Sequence, residues 1–124
     1  MTIAVFDEIG RVWDPHSYEF AHHLSSCIGA KTLCDYAARN LGYIVVEVCK
    51  TSAHIRFRPA FATFPAVHAL LNWLNKQHVE RVALSTFHSE WRHELLPPSQ
   101  AAVVVQALGR RLRAEAPDAA ALSA

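Results

Sequence analysis

Glycine is scarce in this chain: four residues in 124, at Gly10, Gly29, Gly42 and Gly109, each standing alone. Phosphate-cradling loops need glycines clustered, so that backbone amides can converge on one anion, and no such cluster or G-x-S-x-G elbow occurs here. An excess of charge of one sign is also missing. Twelve Lys and Arg face eleven Asp and Glu, for a formal net charge of +1, so no whole-molecule field gathers nucleic acid or an anionic membrane. Cysteine is limited to Cys27, Cys34 and Cys49, an odd set that argues against a secreted disulfide scaffold and is expected to stay reduced in the interior. No apolar run approaches the roughly 20 residues of a bilayer crossing. The opening "MTIAVFDEIGRVW" has no basic leader region and is interrupted by Asp7 and Glu8, so a soluble, cytoplasmic protein is expected.

Hydrophobic residues are plentiful, at 52% of the chain. That content suits one core, and residues 1–115 are read as one α+β domain with 116–124 as a flexible tail. Asp14 and Pro15 suit the start of a first helix through "HSYEFAHHLSS". Thr32 and Asp35 have capping-box spacing for a second, and Gly42 suits its left-handed end. "YIVVEVCKTSAHIRFRP" then alternates as two strands around a polar turn at 50–52, closed by Pro59. Thr63 caps a third helix with Pro65 in its first turn and Val67, Leu70, Leu71 and Leu74 on one face. "VERVALSTFHSEWRHELLP" repeats the strand, turn and strand arrangement, and Pro98 opens a last helix with Ala102, Val105, Leu108 and Leu112 inward and Arg110, Arg111 and Arg113 near its end. Two helix-hairpin units of this kind predict a four-stranded antiparallel sheet, in the order αα-ββ-α-ββ-α, with helices mainly on one face. Residues 1–13 fit an edge strand, an arm over a second subunit, or the border of the core.

The stretch "HIRFRP" (54–59) sets His54, Arg56 and Arg58 on the side opposite Ile55 and Phe57. With them on the outer side fall Glu47, Arg81, Glu90, Arg92 and Glu94, a mixture that suits cross-strand ion pairs better than a nucleic-acid groove. One arginine of the row could still grip a carboxylate in bidentate fashion. Eight histidines raise the question of metal. His88 and Glu90 share a strand face and are the candidates, His93 has the wrong parity, and no H-x-x-x-H, C-x-x-C or H-E-x-x-H pattern occurs. Cys34 with His54 and Asp35 can be drawn as a catalytic set, but no spacing selects it. No cofactor is implied. The chain therefore reads as a non-enzymatic sensory or regulatory module. It is expected to bind a small ligand among aromatic residues such as Trp13, Tyr36, Phe61, Phe64 and Trp73, with His54, Arg56, Arg58 or Arg92 as polar contacts. The alternative is an interaction or adaptor module acting as a homodimer through residues 1–13 or the outer sheet around Val45 and Phe87.

Overall fold

A computed structural model describes residues 2–86 and 92–115. The elements in chain order are β1 (Thr2–Phe6), β2 (Val12–Trp13), α1 (Tyr18–His23), α2 (Ala30–Asn40), β3 (Ile44–Cys49), β4 (Ser52–Phe57), a 3-10 turn (Pro59–Phe61), α3 (Phe64–Lys76), β5 (Arg81–Thr86), β6 (Arg92–Leu96) and α4 (Pro98–Glu115). The sheet is six-stranded and mixed, ordered β2-β1-β3-β4-β5-β6. This corrects the expectation of a four-stranded antiparallel sheet. Residues 1–13 supply two more strands, with β1 antiparallel to β3 along its whole length, and β4 runs parallel to β5. The parallel pair follows from α3: a helix joining two neighbouring strands returns the chain to the end where it began.

Helices also cover both faces. Ala4, Phe6, Ile44, Val46, Val48, Ile55 and Phe57 pack beneath α3 and α4, contacting Val67, Leu70, Leu74, Ala101 and Val105. Val5, Trp13 and Val45 point the other way, against Phe20 of α1 and Leu33, Cys34, Ala37 and Ala38 of α2. The physical reason lies in the crossovers. Since β2 and β3 are both antiparallel to β1, β2 to β3 is a parallel crossover carrying α1 and α2, and β4 to β5 is a second carrying α3. Both step the same way across the sheet, yet β3 and β4 run oppositely. Two crossovers of one hand must then place their helices on opposite faces, as the right-handed rule requires.

Local signals explain most boundaries. Ser17, not Asp14, caps α1: its Oγ accepts from Phe20 N at 3.2 Å, while Asp14 Oδ1 accepts from His16 N at 2.9 Å in a turn ahead of the helix. In α2 the cap is Gly29, which has no side chain to offer. Thr32 and Asp35 lie inside the helix, and Asp35 pairs with Arg39 at 3.2 Å. Thr63 caps α3 as expected, accepting from Ala66 N at 3.3 Å and donating to Glu8 O at 2.6 Å. That second bond ties the β1-β2 turn to the start of α3.

Candidate functional site

The basic row divides once the side chains are placed. Arg56 Nη2 donates to Glu47 Oε1 at 3.1 Å, and His54 Nε2 lies 2.8 Å from Ser85 Oγ on β5. Arg58 reaches away, donating to Arg39 O at 3.0 Å with its guanidinium over the Phe61 ring at 4.2 Å. Arg92 occupies the β6 position opposite Ser85. His54 and Arg56 thus share the half of the second sheet face that α2 leaves uncovered, whereas Trp73 lies beyond the opposite face, edge-on to Phe6 at 5.9 Å. These residues do not form one site. Arg56 and His54 are engaged across the strands with Glu47 and Ser85, the arrangement of a solvated sheet face.

Two catalytic possibilities can be judged from the same geometry. Glu47 is directly opposite His54 in register, so Glu47, His54 and Ser85 span three adjacent strands in the style of an acid, base and nucleophile. However, β4 and β5 are each paired on both sides. Their main-chain N–H groups are committed to ladders, leaving no main-chain donor beside Ser85 among the described residues to stabilise an oxyanion. The set Cys34, His54 and Asp35 does not converge, because His54 contacts Ser85 and Asp35 contacts Arg39. Burial pushes the Cys34 thiol up to about 11, against a smaller lowering by Arg56 and a raising by Glu47, which is the reverse of nucleophile activation. Among the described residues no three His, Cys, Asp or Glu side chains are grouped to hold a metal. His88 and Glu90 lie outside the described residues.

A different site emerges at the β1 edge. β2 is two residues long and pairs only with Val5 and Phe6, so Thr2, Ile3 and Ala4 have β3 on one side and, among the described residues, no strand on the other. Beside them is a cavity of about 370 Å³, lined by Thr2, Ile3, Ala4, Val12, Trp13, Asp14, His16 and Trp73. It lies at the lower end of the size range of ligand sites. Trp73 arrives from α3, while Trp13 is 6% exposed and anchored in the sheet. The Trp13 indole N–H donates to Asp7 Oδ2 at 2.9 Å. Asp7, itself 3% exposed, also accepts from the amides of Ile9 and Arg11 through Oδ1. The Trp13 ring is flanked by the Arg11 guanidinium at 3.9 Å and the His23 imidazole at 4.2 Å. His23 Nε2 continues the chain to Tyr43 Oη at 3.1 Å, and the Tyr43 hydroxyl is raised above its ordinary pKa by burial, then by the carboxylates of Glu8 and Asp7. Trp13 is therefore fixed in place by a hydrogen bond and by stacked neighbours.

Among the described lining residues Asp14 supplies the one carboxylate and His16 the one imidazole. Trp13 and Trp73 both line this cavity, whereas Tyr36, Phe61 and Phe64 are not among its described lining residues. Asp14 and His16 were missed as site residues because their significance depends on the short β2, and the sequence shows no signal for where β2 stops pairing. Comparison with known proteins adds no assignment: no protein family, characterised protein or solved structure matches this chain.

Proposed function

We propose that this protein is a non-enzymatic regulatory module that binds a small ligand in the cavity between Trp13 and Trp73. The carrying observation is the cavity itself, in which Trp13, Trp73, Asp14 and the strand Thr2–Ala4 line about 370 Å³. A carboxylate beside aromatic rings favours a ligand with a protonated amine and an apolar body. Two exposed free thiols, Cys27 and Cys49, favour a reducing compartment, so the cytoplasm is the proposed location. No described helix is long and apolar enough to cross a membrane.

Phenethylammonium is a direct probe. In ¹H–¹⁵N spectra it is expected to shift Thr2–Ala4, the amides of Val12, Trp13, Asp14 and His16 and the Trp73 indole N–H. Asp14→Asn keeps the oxygen that receives His16 N and removes only the charge, so it should weaken binding about tenfold, the cost of one charge-assisted contact. Unmoved resonances at millimolar probe would overturn the reading.

A second reading, a homodimeric adaptor, is favoured by exposed apolar residues beside the opposite edge strand. Leu95 is 47% and Val103 64% exposed, and Val103 lines a groove with Leu96 and Val104. Val45, by contrast, is fully buried and is withdrawn as a contact residue; Phe87 lies outside the described residues. Native mass spectrometry reports subunit number directly, and a monomer at all concentrations would remove this reading.

A further inference from the structure

We infer that the occupant of this cavity is an extended peptide segment carrying a basic side chain, docked as an added strand on the free edge of β1. The inference rests on the cavity being a ligand site and goes further by naming the chemistry that fills it. Asp7 N donates to Arg11 O at 3.1 Å, so Asp7 turns its main-chain polar groups toward the β2 side. In an antiparallel ladder this orientation alternates. Val5, two residues back, shares it and is paired with Trp13, and Ile3, two further back, shares it with no strand opposite. The N–H and C=O of Ile3 consequently point out of the sheet edge, while Thr2, Ala4 and Phe6 direct theirs toward β3.

Among the described residues none completes this edge. The position opposite Ile3 on the line of β2 falls at Pro15, which carries no amide hydrogen and belongs to the turn from Asp14 to Ser17. An extended main chain supplies one donor and one acceptor with the spacing that Ile3 presents, which is the basis of strand addition. Alternation also decides the side chains. The residue opposite Ile3 projects to the α1 side, and its two neighbours project to the α3 side, where Trp73 lies, with Asp14 lining the same cavity. Charge complementarity with Asp14 makes a basic neighbour the matching one, its aliphatic stem lying along the Trp73 ring.

The test uses the intact protein and the blocked peptide acetyl-Thr-Lys-Val-Lys-Thr-amide, with its central valine N-methylated as a control and a version with both lysines replaced by glutamate. The unmodified peptide is expected to shift Thr2–Ala4 most strongly. N-methylation should weaken binding about tenfold, the loss of one hydrogen bond, and the glutamate version should bind more weakly still. Ile3→Pro removes the outward amide while sparing the ladder to β3, and should reproduce the N-methyl effect. The peptide control keeps the test decisive if that variant does not fold. Equal binding of the N-methylated peptide would overturn strand addition, and equal binding of the glutamate version would overturn the basic requirement. If phenethylammonium binds and no peptide does, the occupant is not a peptide although the cavity remains a ligand site. If neither binds, both readings fall. A dimer of the free protein that Ile3→Pro abolishes would assign the edge to a second copy and overturn the peptide.

Discussion

At the scale of single residues, Asp7 and Cys34 show how burial changes what a polar atom does. Asp7 joins the β1-β2 turn to Trp13 by three accepted hydrogen bonds. Asp7→Ala leaves two backbone amides and an indole N–H without their acceptor, so urea denaturation should show a loss of about 2–4 kcal/mol. A change below about 0.5 kcal/mol, the scale of an ordinary surface substitution, would mean that water replaces the carboxylate freely. Cys34 is 3% exposed, whereas Cys27 and Cys49 are exposed. A thiol reagent should therefore label Cys27 and Cys49 in the folded protein and Cys34 only after unfolding. The sequence alone led to all three being expected inside, because free cysteine is usually buried. The pH dependence follows from the raised Cys34 pKa. Below its ordinary value of 9.0 the thiol is neutral in folded and unfolded chains alike, and above it only the unfolded chain gains by ionising. Stability should fall as pH rises from 9.0 toward about 11, with Tyr43 acting in the same direction. Comparing urea midpoints across that window for the parent and Cys34→Ala checks it: the variant's decline should be shallower.

At the scale of elements, the ends of helices separate what is local from what is not. Gly42 ends α2 at φ +72°, and a Cβ there would lie 2.5 Å from Phe61 Cβ. The left-handed geometry was legible from "NLG", but the collision was not, because Phe61 is brought there by the turn after β4. Gly42→Ala should lower stability by about 1–3 kcal/mol, combining backbone strain with the displaced ring. Gly29, at the other end of the same helix, has φ of −66° and open space around its would-be Cβ. Gly29→Ala should therefore change stability by under about 0.5 kcal/mol. Thermal melts of the two variants side by side would check the contrast, and equal losses would contradict it. Thr63 was readable as a cap because its role needs only the three residues that follow. Thr32 with Asp35 had capping spacing too, yet α2 starts earlier at Ala30, since Leu33, Cys34, Ala37 and Ala38 set the helix by what they bury.

At the scale of the whole molecule, the first thirteen residues decide the architecture. Val5, Phe6 and Trp13 are among the most buried side chains, on both faces of the sheet. Each such burial is worth about 1.5–3 kcal/mol, set against a total stability of about 5–15 kcal/mol. Deleting residues 1–13 should abolish cooperative unfolding, whereas an arm serving only association would leave a folded monomer. Circular dichroism on chemical denaturation distinguishes the two. By itself the sequence determined the strands of 44–57, the helix after Thr63, its inward stripe and the mixed charge of the outer row, since each depends on neighbours within a few residues. Only tertiary structure decided that β4 lies parallel to β5, that helices cover both faces, and that a two-residue β2 leaves Ile3 with an open edge between two tryptophans. Strand pairing joins residues far apart in the chain, and alternation along a strand says which faces exist but not which strand, helix or empty space lies beside them.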